Sequence, residues 1–183
     1  LSATQDTETA SAVRSVRQST VSMRCVVNNY LNLTELGNRK LTIHPTLIDP
    51  VRDILEPILA SYTDLLNMRG QTYQFRNNRP NLLIWADKAL LANVYDNLIH
   101  NALLFGDQGG TIIFTVMERG NVDELSVWYS GQGLDNKCLE SLGECLTYDT
   151  DDLAKRNAEI GIFLASKIVE AHGGNLWAES QAN

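Results

Sequence analysis

The sequence predicts an α+β domain in which helices cover one face of a mixed sheet, preceded by a long bundle helix. Three observations support this prediction. Residues 9–36 contain no proline and no glycine, which favours one long helix. The later helices and strands alternate without an internal repeat, and residues 109–130 read as two strands around a turn near Gly120. Helices segregated on one face of such a sheet form a two-layer sandwich.

The leading helix carries a heptad-like seam of mostly apolar residues, spaced alternately by three and four positions. Its members are Val13, Val16, Thr20, Met23, Val27 and Tyr30. Such spacing is typical of a helix that packs in a bundle or coiled coil, and Gly37 follows as a stop signal. We therefore predict a homodimer through Val13, Val16, Met23 and Val27. An amphipathic helix that lies on its own domain is the alternative.

The next segments predict a short strand, a helix and two further strands. Leu41–His44 is predicted to be the first strand and Thr46–Met68 the second helix. Pro57 lies within that span, so the helix either kinks there or begins only at this proline. The segment 71–75 alternates in polarity and 81–86 is a nearly continuous apolar run, and both patterns favour strands.

The second half of the chain adds the remaining helices and strands. Asp87 is predicted to be the N-cap of a helix that reaches Leu104. After the hairpin, residues 136–146 predict a short amphipathic helix and residues 147–158 a polar loop. A last helix is then predicted over Gly161–His172. The Gly173-Gly174 pair closes it, and a strand follows at 175–179.

Composition narrows the class of protein. The hydrophobic fraction of 44% with mixed charges describes a soluble globular chain. A formal net charge of −7 argues against nucleic-acid binding, which needs a basic face. No apolar run approaches the roughly 20 residues of a membrane span. Three cysteines fit neither a disulfide framework nor a zinc site, so we expect a cytoplasmic setting. Because the chain starts at Leu1 without methionine, we expect it to be a segment of a longer protein.

Two asparagines are the first candidates for a binding site. Asn97 and Asn101 lie four positions apart, so their amides share one face of the predicted helix. An asparagine carbonyl can occupy one corner of an octahedral magnesium ion whose other ligands are waters and phosphates. The alternative is a pair of polar residues that contact a neighbouring loop.

Four motifs in order resemble the ATP-binding domain of sensor histidine kinases, which has the GHKL fold. The segment 97–105, "NLIHNALLF", is similar to the asparagine box, and 127–134, "VWYSGQGL", to the first glycine box. The helix-to-strand end of that domain resembles "IVEAHGGNLWAES", and upstream "VVNNYLNLTELGNRKL" resembles the second helix of the dimerisation and phosphotransfer domain. The resemblance covers nearly the whole chain. It implies a helical dimerisation segment at 1–38 and an ATP-binding domain at 39–183.

The resemblance implies a two-layer sandwich that binds ATP with magnesium. Asn97 and Asn101 would then face the metal and the phosphates, with Asn101 as the magnesium ligand. Gly131 and Gly133 would let the backbone approach the nucleotide, because glycine has no Cβ. Gly161 would begin the helix whose dipole meets the phosphates.

Four residues depart from the nucleotide motifs of the family. Tyr129 stands where the family has the aspartate that accepts the adenine amino group. In the second glycine box, Asn157 and Glu159 replace two of the three glycines, and Glu159 adds a carboxylate where a triphosphate would approach. Leu104 replaces a basic residue that often contacts phosphate. Together these departures predict impaired nucleotide binding.

The predicted function is that of a two-component signalling module that resembles the catalytic domain of a histidine protein kinase. The alternative is an ATP-independent pseudokinase or phosphotransfer scaffold that dimerises and docks a response regulator or a partner kinase. No residue is assigned a catalytic role, because His44, His100 and His172 all lie outside the leading helix and are predicted to be structural. The family's usual closing strand after 175–179 is also missing, through either truncation or genuine loss.

Overall fold

The computed structural model describes residues 41–77, 79, 81–133 and 153–180, with positions 12–13, 16, 19–20, 23–31 and 33–34 of the leading helix. The leading helix, α1, is continuous over 23–31. The elements that follow are β1 (Thr46–Ile48), a π-helical turn (Pro50–Leu55), α2 (Glu56–Arg69), β2 (Thr72–Asn77), β3 (Ile84–Ala86), α3 (Lys88–Phe105), β4 (Thr111–Arg119), β5 (Val122–Tyr129) and α4 (Leu153–Ala171). The predicted helix at 136–146 lies outside the described residues.

The described strands form two sheets. The larger has the order β2-β4-β5, with β2 parallel and β5 antiparallel to β4, so it is mixed as predicted. The smaller pairs β1 with β3 in antiparallel orientation. Along β4, Ile112, Phe114 and Val116 are buried and alternate with half-buried residues, the pattern of a strand with one face on a core. Gly120 (φ +64°) turns β4 into β5, which confirms the hairpin.

The core lies between the larger sheet and the helices, which confirms the α+β sandwich. From α2 it takes Leu59 and Tyr62, from α3 Ile99, and from α4 Ile168, all almost fully buried. Each buried aliphatic side chain of this kind contributes about 1.5–3 kcal/mol relative to an exposed one. α3 packs against both α2 and α4. The face of α3 that carries the asparagines is therefore set by the core.

The region before α2 differs from the prediction. Leu41–His44 forms no strand, and the strand is instead Thr46–Ile48, which pairs with β3. The side chain of Asp49 then accepts hydrogen bonds from the N–H groups of residues 51 and 52 and starts the π-helical turn. The α-helix proper begins at Glu56, so Pro57 lies in its first turn, where a missing N–H costs nothing.

The last helix also differs from the prediction. α4 begins at Leu153, so residues 153–158, predicted to be loop, are helical, and the predicted start at Gly161 is wrong. Residues 153–160 contain no glycine or proline, and several are strong helix formers. Ile160, Leu164 and Ile168 recur every four residues and are buried, which extends the apolar stripe through Gly161.

The predicted strand at 175–179 is not formed. Residues 174–180 have no regular secondary structure, and Trp177 is half-exposed. Extended backbone becomes a strand only when its N–H and C=O groups find a partner ladder. Within the described residues, β5 pairs with β4 alone, so this segment gains no such ladder.

Asp87 is the N-cap of α3, as predicted. Its Oδ1 accepts from the N–H groups of Ala89 (3.0 Å) and Leu90 (3.1 Å), and its Oδ2 accepts from the His44 N–H (2.9 Å). Partial burial alone would raise the pKa of Asp87, but these three backbone hydrogen bonds outweigh it and the pKa is lowered. The helix on which the asparagines lie is thus fixed at its start.

We expect Asp87→Ala to lower the free energy of unfolding by about 1 kcal/mol, the usual cost of losing an N-cap. Because folding lowers the pKa of Asp87, the difference from wild type should be full above the unfolded pKa of about 4 and shrink as pH falls below it. Urea denaturation at several pH values measures both. If the two proteins differed by the same free energy of unfolding at all pH values, the role of the Asp87 carboxylate as N-cap would be contradicted.

Candidate functional site

Asn97 and Asn101 are at the centre of the candidate site. They lie one turn apart on α3, and both side chains are buried, at 4% and 7% exposed. The prediction that they share a face of the helix follows directly from this geometry. The role of Asn101 as a magnesium ligand stays a prediction.

Gly161 lies against Asn97, in the interior of α4. A Cβ added to Gly161 would lie 2.8 Å from Oδ1 and 3.0 Å from Cγ of Asn97. Glycine therefore lets α3 and α4 approach each other closely at the level of this amide. The expected position at a helix N-terminus is wrong, because α4 starts about two turns earlier.

The leading helix covers the other side of Asn97. The Cys25 S–H donates to Asn97 Oδ1 at 3.4 Å, and Asn29 Nδ2 donates to Cys25 Sγ at 3.8 Å. Cys25 and Asn29 are both buried, at 4% and 3% exposed. Burial, together with the nearby charge of Asp96, raises the pKa of the Cys25 thiol to about 12. The thiol is therefore protonated near neutral pH and can act as the donor.

A second cluster of contacts joins α1 to α2 and α3. It is centred on Arg24 and Asp96, the sequence neighbours of Cys25 and Asn97. Arg24 Nη2 contacts Asp96 Oδ1 at 3.2 Å, and the hydroxyl of the fully buried Tyr62 donates to the same oxygen at 2.9 Å. The guanidinium also lies 5.7 Å from the centre of the Tyr62 ring, within cation–π range. Burial and the charge of Asp96 both raise the pKa of Tyr62, so its hydroxyl stays a donor. This cluster links α1, α2 and α3.

The predicted glycine box follows β5. Tyr129 ends the strand, is half-buried and packs against the core, and burial raises its pKa. Gly131 forms a bridge with Gly106, and a Cβ on it would lie 2.2 Å from the Phe105 carbonyl oxygen. Gly133 has φ +71°. The close approach that Gly131 permits is to the end of α3, and its predicted approach to a nucleotide stays a prediction.

The other departures from the nucleotide motifs lie on helices. Asn157 and Glu159 are half-buried in the first two turns of α4. Leu104 is half-buried near the end of α3. Residues 153–158, the described part of the predicted polar loop, are thus regular helix, and residues 147–152 lie outside the described residues.

The surroundings of Asn97 and Gly161 differ from those that the resemblance implies. The Asn97 oxygen already accepts from Cys25, and the helix that should present free N–H groups at Gly161 has its own hydrogen-bonded turns there. Within 41–77, 81–133 and 153–180 and the described part of α1, no group of three or more His, Cys, Asp or Glu side chains could hold a metal ion.

His172 and His100 have environments that agree with structural roles. His172 Nε2 accepts from the Asp87 N–H (2.9 Å), so Nδ1 carries the proton and donates to the Ile168 carbonyl (2.7 Å). His172 therefore ties the end of α4 to the start of α3. His100 is buried, and burial lowers its pKa, so it is neutral near pH 7.

Sequence reasoning missed Arg24, Cys25 and Asp96. One signal was available, since Cys25 and Asn29 lie four positions apart on the side of α1 opposite the apolar seam. A second polar face on a seam-bearing helix indicates a second partner. That partner could not be identified from the sequence, because the contacts to Asp96 and Asn97 join residues 72 positions apart.

Comparison with known proteins gives the family. The family model described as "Histidine kinase-, DNA gyrase B-, and HSP90-like ATPase" matches residues 86–183. The sensor histidine kinase WalK of Bacillus subtilis is 28% identical over 163 residues, which is 85% of this chain and 26% of WalK. The adaptive-response sensory kinase SasA of Crocosphaera subtropica is 26% identical over 161 residues, 86% of this chain and 41% of SasA. The chain thus spans well under half the length of these relatives.

A solved structure shows the same fold. The histidine kinase ThkA, in complex with the response regulator protein TrrA, superposes with a TM-score of 0.70 at 18% identity, covering 90% of this chain and 46% of that one. At this identity the likeness concerns the fold. Of the helices that the structure describes, none combines the length and apolar character of a membrane-crossing segment.

Proposed function

The chain belongs to the histidine kinase-, DNA gyrase B- and HSP90-like ATPases, and from this premise we propose a two-component signalling module with impaired nucleotide binding. Its relatives WalK and SasA identify the histidine kinase branch of that family. The observation that carries the proposal is the uninterrupted course of α4 from Leu153 through Gly161. A phosphate site at a helix start needs free N–H groups, and in mid-helix these are used by the preceding turn.

Two side chains add to this argument. Glu159 lies in the second turn of α4, two positions before Gly161, and adds a negative charge to the segment that matches the second glycine box. Two like charges about 4 Å apart repel by about 1 kcal/mol in water and several times more when partly desolvated. Tyr129 is a bulky phenol whose ring packs on the core. Both changes act against a bound triphosphate.

Calorimetric titration with MgATP tests this proposal. We expect no binding tighter than about 1 mM, because the helix, the carboxylate and the phenol all oppose it. Tyr129→Asp restores the family's adenine acceptor, yet we expect it to leave binding weak because α4 is unchanged. Tyr129→Phe is the control, since it removes only the hydroxyl. Micromolar affinity of the wild type would overturn the proposal, and tight binding by Tyr129→Asp alone would show that α4 is no obstacle.

The second candidate function is that of an ATP-independent pseudokinase or phosphotransfer scaffold, favoured by the exposed seam of α1. Val16, Met23 and Val27 are 65%, 66% and 50% exposed, which is unusual for a row of apolar side chains on one face. A homodimer through this seam, in the segment 1–38, would bury them. A response regulator or partner kinase is the proposed partner, and TrrA bound to ThkA is a precedent. A cytoplasmic location stays a prediction.

A further inference from the structure

The contact between α1 and α3 has the composition of a reversible contact. We propose that Arg24, Asp96 and Tyr62 form a latch that holds α1 over Asn97, so that α1 has a docked position that covers the candidate site and an undocked one that exposes it. "The latch" below means these three residues. The proposal rests on the proposed function only in taking the Asn97 face as the family's nucleotide face.

The two faces of α1 differ in a way that a permanent core helix would not show. Arg24 and Cys25 form hydrogen bonds to α3 and Asn29 is buried, whereas apolar Met23 and Val27 are 66% and 50% exposed. A helix fixed to a core buries its apolar stripe and exposes its polar one. Here the order is reversed, so the docked state depends on a few polar contacts and leaves the apolar side free for another helix.

The latch concentrates those contacts on one carboxylate oxygen. Arg24 and Tyr62 both bind Asp96 Oδ1, at 3.2 and 2.9 Å, and the Arg24 side chain is 46% exposed. Hydrogen bonds to charged groups are the stronger ones, but a partly exposed ion pair exchanges readily with water. Such a contact is strong enough to populate the docked state and weak enough to open.

The docked and open states differ in access to one oxygen. While α1 is docked, Asn97 Oδ1 accepts from Cys25, and the thiol is 4% exposed. A cation at that oxygen would need the space that Cys25 fills. Docking of α1 and occupation of the Asn97 face therefore exclude each other.

Cys25 itself reports on the latch, because a buried protonated thiol reacts slowly and an exposed one reacts fast. In a Cys138→Ser, Cys145→Ser background, the rate of Cys25 with dithiobisnitrobenzoate is measured for wild type, Arg24→Gln and Asp96→Asn. We expect both variants to react about tenfold faster, the effect of one charged hydrogen bond on a local opening equilibrium. Arg119→Ala, which removes the ion pair with Glu124 in the β4–β5 hairpin, is the control and should not change the rate.

Arg24→Gln keeps the test valid if Asp96→Asn fails to fold, because Arg24 lies on α1 outside the domain core. Unchanged rates in folded Arg24→Gln would overturn the latch, as would a wild-type thiol as reactive as in the unfolded chain. MgATP titration of Arg24→Gln separates the two proposals. If Cys25 is released and MgATP still does not bind, both stand. If it binds at micromolar concentration, the latch stands and the impaired site does not.

Discussion

Replacing Gly131 by alanine is expected to lower the free energy of unfolding by about 3 kcal/mol or more, through overpacking and lost hydrogen bonds. The added Cβ would lie 2.2 Å from the Phe105 carbonyl oxygen and 3.0 Å from the Gly106 Cα. Both atoms belong to the backbone at the end of α3, so no rotamer change can relieve the clash. Moving the segment around Gly131 away from the end of α3 would also weaken the hydrogen bond from the Asp107 N–H to the Ser130 carbonyl (2.8 Å).

The matched control is Gly120→Ala in the β4–β5 turn. Gly120 has φ +64° and no atom within 4 Å of an added Cβ, so only backbone strain of about 1–2 kcal/mol is expected. Urea denaturation followed by tryptophan fluorescence gives both values. If Gly131→Ala costs no more than Gly120→Ala, the chain after β5 does not approach α3 as closely as described.

Local signals in the sequence were sufficient to predict α3, which carries the asparagines, and the β4–β5 hairpin. The Asp87 cap, the spacing of Asn97 and Asn101 and the hairpin at Gly120 each depend on residues a few positions apart. The first strand was misplaced because its identity depends on pairing with β3, nearly forty residues away in sequence: Thr46 lies opposite Ala86. Pairing of this kind leaves no periodic trace in a three-residue strand.

The position of Gly161 inside α4, instead of at its start, differs from the prediction for another reason. The glycine was placed by its match to a motif, and the motif led to the expectation of a loop before it. The residues themselves favour helix from Leu153 onwards, and the buried positions Ile160 and Leu164 continue the stripe on both sides of the glycine. Local propensity was the better guide here, because the glycines that would break the helix in the family are absent.

The docking of α1 could not be read from the sequence at all. Its seam was recognised, but the partner of its other face is a set of side chains on α2 and α3. Arg24 and Asp96 are both charged and therefore look like ordinary surface residues in a sequence. Tyr62, from α2, donates to the same Asp96 oxygen that Arg24 contacts.

Placing charges in the seam is expected to prevent the proposed homodimer from forming. The double variant Val16→Asp, Val27→Asp replaces two apolar side chains of the seam by carboxylates. These valines are 65% and 50% exposed in the single chain. Burying each valine on association should contribute about 1.5–3 kcal/mol, and a desolvated carboxylate would oppose association, so the dissociation constant should rise at least a thousandfold, or about 4 kcal/mol. Light scattering across a range of concentrations gives the mass.

Asn28→Asp is the control, since it adds a single negative charge to α1 off the seam, and it should leave the mass unchanged, whereas Val27→Asp alone, which adds one charge within the seam, should weaken association. A monomeric wild type at high concentration would contradict the seam, as would a double variant that stays dimeric. The same variants also separate the seam from the latch. Because the seam lies on the side of α1 opposite Cys25, loss of the dimer should leave the reactivity of Cys25 unchanged. If charge in the seam also exposed Cys25, association and docking would be one coupled event, and the dimer would hold α1 over Asn97.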